Sequence, residues 1–169
     1  MALKIIWLLT LCLGTLQFNL FNLEMLNNKT GATCLDGSSP AIYTYEPDEP
    51  EKAPNKLLIY FEWAPNGWCY KEDLSSSLEE CLKWKEEDYG SSNNYESGLM
   101  ILSGMLSPMV EGPFQDWYKV IIKSCDGGSF LGNEDVVTVK RQKLYFRGSR
   151  VIEEVIAQLN KKGWLKDRD

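Results

Sequence analysis

Two apolar runs that each end in an abrupt turn constrain the fold of this 169-residue chain most. Residues 57–61 (LLIYF) lead into Glu62 and a Pro-Asn-Gly turn, and residues 118–124 (YKVIIKS) lead into a Cys-Asp-Gly-Gly turn. A run of this length that is apolar and bounded by turn residues predicts a buried strand. A further short strand is expected over residues 41–45, where the side chains alternate.

Helical patterns follow both apolar runs. Residues 74–88 place apolar side chains at three- and four-residue spacing, and residues 148–162 do so more regularly. For the second helix we expect Ser149 as N-cap and Gly163 just beyond the last turn. Strands that alternate with helices predict an α/β layered fold with parallel strand pairing.

The first residues are typical of a secretory signal peptide, predicted over residues 1–14. Lys4 precedes an apolar stretch at residues 5–13, and the small residues Cys12 and Gly14 fit a cleavage site. The stretch is too short for a membrane-spanning helix, and the alternative is a buried N-terminal helix. Residues 15–33 form a leader without clear periodicity. We therefore expect a secreted or lumenal protein with no transmembrane span.

Cysteine usage agrees with export. Cys34, Cys69, Cys81 and Cys125 remain after the signal, and four cysteines allow two disulfides in three connectivities. Zinc binding is disfavoured because the chain has no histidine and no Cys-x-x-Cys pair, and neither a metal nor a cofactor is expected. Asn28 begins an Asn-Lys-Thr glycosylation triplet, which has meaning only in an exported chain.

The charge balance argues against one class of partner. With 18 Lys and Arg against 24 Asp and Glu, the formal net charge is −6, and no basic stripe is present. The phosphates of nucleic acids repel such a surface. Nucleic-acid binding is therefore excluded.

Six segments occur in one order along the chain: CLDGS (34–38), the strand end at Glu62 with Gly67-Trp68-Cys69, GSS (90–92), LSGMLS (102–107), CDGGSFLG (125–132) and LYFRGSRVI (144–152). Together they resemble the pectin acetylesterase/Notum family of α/β-hydrolase carboxylesterases. The resemblance covers roughly residues 34–163. It implies a partial α/β-hydrolase-like three-layer fold, with residues 34–169 as the N-terminal part of that domain, truncated before its nucleophile elbow.

The resemblance also implies a candidate oxyanion loop at Asn66, Gly67 and Trp68. The family carries a Glu-Gly-Gly-Gly-Trp-Cys type run here, because glycine lets backbone N–H groups approach the substrate oxygen. This chain has Trp63-Ala64-Pro65-Asn66 in place of most glycines and is two residues longer there. Proline has no N–H to donate. The alternative is an ordinary turn with Trp68 packed inward.

The catalytic residues of the family are a Ser-His-Asp triad, and none is present here. The chain contains no Gly-x-Ser-x-Gly elbow and no histidine. Glu62, Asp126 and Arg147 are candidate substrate-crevice residues. The alternatives are an Asp126 that caps its own turn and an Arg147 that forms a structural salt bridge with an acidic residue such as Glu62.

Two further expectations follow from the resemblance. Position in the family-like segment and modest separation favour a Cys69–Cys81 disulfide, which leaves Cys34 and Cys125 for each other. The function implied is a secreted carboxylic ester hydrolase acting on an acylated polysaccharide, glycan or protein, present here as an inactive N-terminal fragment. The alternative is a non-catalytic secreted binding module derived from that family. A parallel sheet cut at this point leaves an unpaired edge and should associate.

Overall fold

The computed structural model describes residues 20–64, 68–69, 74–99, 101 and 103–166. The predicted signal peptide therefore lies outside the described residues. The elements in chain order are β1 (Asn22–Met25), a short 3₁₀ helix (Asn28–Thr30), β2 (Ala41–Tyr45), β3 (Leu57–Phe61), α1 (Leu74–Trp84), β4 (Tyr118–Ile122), β5 (Val137–Val139), β6 (Gln142–Leu144) and α2 (Gly148–Lys161). No helix among these is long and apolar enough to cross a membrane.

The main sheet has four strands in the order β1-β2-β4-β3. The pair β3–β4 is parallel, with Leu57 opposite Tyr118 and Phe61 opposite Ile122. The β1–β2 and β2–β4 pairs are antiparallel. The prediction of parallel pairing is thus correct only for β3 and β4, because β1 and β2 extend the sheet in the opposite direction.

Helix α2 covers one face of this sheet. Its buried residues Val151, Val155 and Leu159 pack with the alternate β4 residues Tyr118, Val120 and Ile122. The helix ends where Gly163, at φ 74°, and Trp164 return their N–H groups to the carbonyls of Asn160 and Leu159. This is the Schellman arrangement that a glycine after the last turn predicts.

The opposite face of the sheet packs Ile121 of β4 with Phe21, Tyr43 and Tyr45. Helix α1 lies beside the sheet and shares a third cluster with the β5–β6 hairpin, through Cys81, Trp84 and Leu144. This hairpin turns at Lys140 and Arg141, both at positive φ. The side chains of the central strand β4 are thus packed against apolar residues on both faces of the sheet.

Three details differ from the sequence-based predictions. The leader contains strand β1, although its sequence has no clear period. Strand β3 is an edge strand whose last three residues are 37–49 % exposed, rather than a buried strand. Ser149 does not cap α2, because its hydroxyl donates to the carbonyl of Gly132 and the N-cap position is Arg147.

The side chain of Lys119 lies entirely inside the fold. The ammonium of Lys119 on β4 donates to the carbonyls of Gln115 and Trp117 and sits 4.4 Å from the ring centre of Tyr45. Burial lowers the pKa of Lys119 to about 8. The lysine ties the loop before β4 to the sheet, since a buried ammonium must satisfy its donors.

Candidate functional site

The turns that follow β3 and β4 leave the sheet side by side. Parallel neighbouring strands end at the same edge, which is where α/β folds place ligand crevices. The described parts of this region are residues 62–64 and 68–69 after β3 and residues 123–130 after β4. They include the crevice candidates Glu62 and Asp126.

The turn after β4 is built around Asp126. Its carboxylate is fully buried and accepts the N–H of Phe130 at 3.1–3.2 Å. Gly127, Ser129 and Phe130 all have positive φ, an unusual conformation for the last two. The carboxylate holds this turn closed, in the manner of an aspartate that caps its own turn.

Burial raises the pKa of Asp126, and N–H bonds from Phe130 and from its own turn oppose part of that rise. Helix α2 begins directly against this group. A Cβ on Gly148 would overlap Asp126 Oδ2 and the backbone of Phe130. Glycine is therefore needed at position 148 for the helix to start this close to the turn.

Glu62 is anchored to the neighbouring strand. Its N–H donates to the carbonyl of Ile122 at 2.9 Å, and its carboxylate binds the ammonium of Lys123 at 2.6 Å. Lys123 in turn lies 5.0 Å from the ring centre of Tyr95, whose hydroxyl donates to the carbonyl of Asp88. Burial raises the pKa of Tyr95, and the carboxylates of Glu62 and Asp88 add to that rise.

Arg147 does not pair with Glu62, so that expectation is wrong. Its guanidinium donates to the carbonyl of Gly31 at 3.0 Å and to the carbonyl of Asp135 at 2.6 Å, and it lies over the ring of Tyr145. The reason is topological. The parallel register brings Lys123 beside Glu62, whereas Arg147 faces the N-terminal segment.

The two turns are joined by backbone contacts and a disulfide. Cys69 donates its N–H to the carbonyl of Gly127 at 3.1 Å, and Trp68 forms an isolated bridge with Gly128. Cys69 is bonded to Cys81 on α1, 12 residues away. The other disulfide joins Cys34 to Cys125, at the start of the turn after β4. Both disulfides are those predicted.

Of the candidate oxyanion loop, only Trp68 is described. Asn66 and Gly67, together with Pro65, lie outside the described residues. Trp68 is 51 % exposed and Trp63 is 67 % exposed, so the alternative in which Trp68 packs inward is wrong. Both rings are therefore exposed at the strand end rather than packed in the core.

A cavity of about 550 Å³ opens beside Trp68, between the joined turns and α1. Its walls are almost wholly apolar, and the residues that line it are Trp68, Cys69, Ser77, Leu78, Cys81, Gly127, Gly128 and Phe146. Sequence reasoning missed Ser77 and Phe146. Leu78 belongs to the three- and four-residue apolar spacing of residues 74–88, and that spacing is the sequence signal for this wall of the cavity.

The chemistry that this arrangement supports is binding of an apolar group. The chain has no histidine to act as a base near neutral pH. Within the part of the chain that the structure describes, no group of three His, Cys, Asp or Glu side chains could hold a metal ion. The serine hydroxyls of the CLDGS and GSS segments bond to one another and to Asp36, since Ser92 and Asp36 both contact Ser38. Asn28 lies in the 3₁₀ helix, and the hydroxyl of Thr30 donates to Glu154 at 2.9 Å.

Comparison with known proteins finds relatives among the pectin acetylesterases. The family model for pectinacetylesterase matches residues 16–168. Pectin acetylesterase 11 of Arabidopsis thaliana is 35% identical over 136 residues, which cover 79% of this chain and 32% of that protein. Pectin acetylesterase 5 of the same plant is 30% identical over 81% of this chain and 30% of its own length.

More distant matches lie in animals. The palmitoleoyl-protein carboxylesterase NOTUM of Schmidtea mediterranea is 26% identical over 85% of this chain and 25% of that protein. A crystal structure of the Wnt deacylase Notum from Drosophila superposes with a TM-score of 0.68 at 20% identity, over 86% of this chain and 39% of that one. This likeness shows a shared fold, a partial α/β-hydrolase-like one. The chain spans about a third of the length of the pectin acetylesterases it matches.

Proposed function

The chain belongs to the pectinacetylesterase family, and on that basis we propose that it is the N-terminal part of a secreted carboxylic ester hydrolase. The observation that carries this proposal is the family match over residues 16–168 by a chain that spans only 30–32% of the pectin acetylesterases it matches. Its relatives include acetylesterases and a protein deacylase. Acetyl or longer acyl esters are therefore the substrate class.

This part of the enzyme would position the acyl group. In serine hydrolysis, a nucleophile attacks the ester carbonyl while N–H donors hold the developing negative charge. What supports this role is that the joined turns at Trp68 and Gly127 leave the carboxyl ends of two parallel strands, the edge at which α/β folds hold ligands. The apolar cavity beside them fits a hydrocarbon chain better than a charged polysaccharide. An acidic substrate such as pectin is further disfavoured by the net charge of −6.

The chain by itself is proposed to be inactive. It has no histidine, and a carboxylate or an amine would need a large pKa shift to replace one as general base. The test is hydrolysis of chromogenic acetyl and octanoyl esters by monodisperse protein with both disulfides formed. We expect no turnover above background. Turnover that is abolished when one serine is replaced would overturn the proposal of inactivity.

Reading the transcript past codon 169 tests whether the chain is part of a longer enzyme. The outcome does not affect its family membership. An in-frame Gly-x-Ser-x-Gly followed by a histidine codon supports a longer active enzyme. An immediate and reproducible stop codon contradicts the enzyme proposal for this locus and leaves the family membership intact.

Secretion is part of the same proposal. Expressed in a eukaryotic host, the chain is expected in the medium, beginning after Gly14 and carrying a glycan on Asn28. Amino-terminal sequencing and the mass change on treatment with peptide N-glycosidase measure both. Retention of residues 1–14 would contradict the signal peptide.

A non-catalytic secreted binding module is the second candidate. The apolar cavity favours it, because a cavity of this kind binds ligands without a triad. We expect 11-(dansylamino)undecanoic acid to bind with a fluorescence increase that octanoate competes away. Leu78→Lys, in the cavity wall, should abolish the increase. Leu131→Lys, at a residue that is 77 % exposed, should leave it unchanged. Absence of binding would reject this candidate.

A further inference from the structure

The tip of the β5–β6 hairpin carries two adjacent basic residues in a strained turn. Val139 pairs with Gln142, which leaves a two-residue loop between them. The loop residues, Lys140 and Arg141, have φ angles of 48° and 66°. Loops of this kind favour Asn-Gly, because a residue with a Cβ is disfavoured at positive φ. Lys-Arg thus lies where it weakens the fold, and backbone strain at one place calls for a functional explanation.

Both basic side chains are accessible to another molecule. Lys140 is 64 % exposed, and its ion pair with Glu79 joins two exposed groups, so the pair contributes little to stability. Arg141 is exposed and forms no hydrogen bond or ion pair within the described part of the chain. Exposed loop tips are preferred sites of proteolytic cleavage. An arginine at such a tip can enter a protease pocket that binds its guanidinium through a carboxylate.

Opening this tip requires few contacts to break. A protease binds its substrate as an extended strand, so the turn and the two residue pairs beside it must separate. These pairs are Val139–Gln142 and Thr138–Lys143. The third pair stays in place because Leu144 is fully buried. Opening also releases the strain of the turn, which lowers the free energy that opening requires. The turn and its short ladder are local to residues 137–144, whether or not the polypeptide continues past residue 169.

A second pair of adjacent basic residues provides a comparison within the same chain. Lys161 and Lys162 lie at the end of α2, and the ammonium of Lys162 binds the carboxylate of Glu24 at 2.6 Å. The N–H of Lys162 donates to the carbonyl of Gln158, and Leu159 is fully buried. This pair becomes extended only if the last turn of the helix unwinds. The structure therefore distinguishes the two basic pairs by the cost of opening.

We propose that the secreted chain is processed at the hairpin tip by a protease specific for Lys-Arg pairs. The protease hydrolyses the peptide bond between Arg141 and Gln142. The reaction consumes one water molecule and leaves a carboxylate on Arg141 and an amino group on Gln142. The proposal rests on the secretion proposed above, because the chain must meet such a protease during export.

The two pieces are not joined covalently after the cut. Both disulfides, Cys34–Cys125 and Cys69–Cys81, lie before it, and no cysteine follows Arg141. The second piece is held by the packing of α2 against the sheet and by hydrogen bonds such as that from Thr30 to Glu154. The cut protein should therefore elute as one species in native buffer and separate into two on denaturation without reduction.

The first experiment digests the purified chain with kexin, a protease that cleaves after Lys-Arg, and follows the intact mass over time. We expect one cut, after Arg141. The control is Lys162→Arg, which gives the pair on α2 the same Lys-Arg sequence. Cleavage there should be slower by about tenfold or more, because it depends on the population of the opened form. No cut after Arg141, or equal rates at the two pairs, overturns the proposal.

Matched variants test the recognition of the tip. Arg141→Gln removes the charge that the protease binds and should abolish the cut. Lys143→Gln, in the same hairpin and with the same change in net charge, should leave the rate within about threefold. Equal loss in both variants contradicts recognition of the Lys-Arg pair. The double change of Lys140→Asn with Arg141→Gly should raise the midpoint of urea unfolding, because it supplies the residues that the turn favours. A lowered midpoint contradicts the role of strain.

The second experiment separates processing from secretion. The chain, with its own first residues, is expressed in yeast that makes kexin and in the same strain without it. Mass spectrometry of the medium should find a piece that begins at Gln142 only in the first strain. Absence of the chain from both media contradicts the secretion on which the proposal rests. An intact chain in the medium of the kexin-producing strain overturns the processing alone.

Discussion

The two turns at the end of the β3–β4 pair begin only one strand apart, yet they are held in different ways. The turn after β4 surrounds a fully buried carboxylate and is bonded through Cys125 to Cys34. The described part of the turn after β3 is held at its ends by Glu62 and Cys69, while Trp63 and Trp68 are exposed. Buried polar groups thus define one turn, and the other presents aromatic surface beside it. The turn after β4 is therefore the more firmly anchored, and the turn after β3 is the one that exposes aromatic rings.

The largest difference between the two turns should appear in the free energy of unfolding when each disulfide is removed. The Cys34–Cys125 bond spans 91 residues and Cys69–Cys81 spans 12. Chain entropy predicts that replacing the first pair by alanine costs about 4–5 kcal/mol and the second about 3 kcal/mol. Urea unfolding of both double variants under oxidising conditions measures this. Equal costs, or the reverse order, would show that the turn after β4 is not the better anchored.

A smaller effect is expected at the start of α2. Gly148→Ala forces a methyl group against Asp126 and Phe130 and should cost about 3 kcal/mol. Gly112→Ala meets no atom within 4 Å and serves as the control, with a change within about 0.5 kcal/mol. Thermal and urea unfolding of both variants give the comparison. If the two alanines cost the same, the close approach of helix and turn does not constrain position 148.

Asp126→Asn should cost about 1–3 kcal/mol, because the amide brings donors into a site built for an acceptor. The cost should depend on pH. Because the pKa of Asp126 is raised above 3.8 in the folded state, the protonated carboxyl stabilises the wild-type fold at low pH. This stabilisation is lost as the pH rises through the folded-state pKa. The deficit of Asp126→Asn relative to wild type should therefore shrink as the pH rises above about 4 and through the folded-state pKa. A deficit that grows with pH would contradict the inferred direction.

The smallest effect belongs to the exposed aromatic surface. Trp63→Ala removes a ring that is 67 % exposed and should change the free energy of unfolding by less than about 0.5 kcal/mol. Urea unfolding measures it, with Gly112→Ala as a second near-neutral reference. A cost of several kcal/mol would mean that this ring supports the fold, and the contrast between the two turns would fail.

Elements with their own sequence signals were predictable. Strands β2 and β3 have the predicted bounds, and α2 ends within one residue of the prediction, because Gly163 is a strong stop signal. The predicted helix over residues 74–88 is shorter, ending at Trp84. Local pattern was sufficient here because the hydrophobic period and the turn residues agree.

Other features depend on partners distant in sequence. Strand β1 becomes a strand by pairing with β2, which its own four residues do not predict. The β5–β6 hairpin has strands of three residues and turns at Lys140-Arg141, without the Asn-Gly signal typical of such turns. The ion pair of Glu62 with Lys123 exists only because the parallel register aligns residues far apart in the chain. Sequence pattern could name Glu62 as important but could not name its partner.

The long disulfide also has a consequence for biosynthesis. Of the four disulfide-bonded cysteines, Cys34 emerges first from the ribosome and its partner Cys125 last, with Cys69 and Cys81 between them. Strand β2 likewise waits for β4, the strand that joins it to the rest of the sheet. In an oxidising compartment, Cys34 is therefore exposed to two earlier thiols before the correct one is made. Folding of this chain should depend on thiol–disulfide exchange to correct such pairings, and a protein disulfide isomerase supplies that exchange.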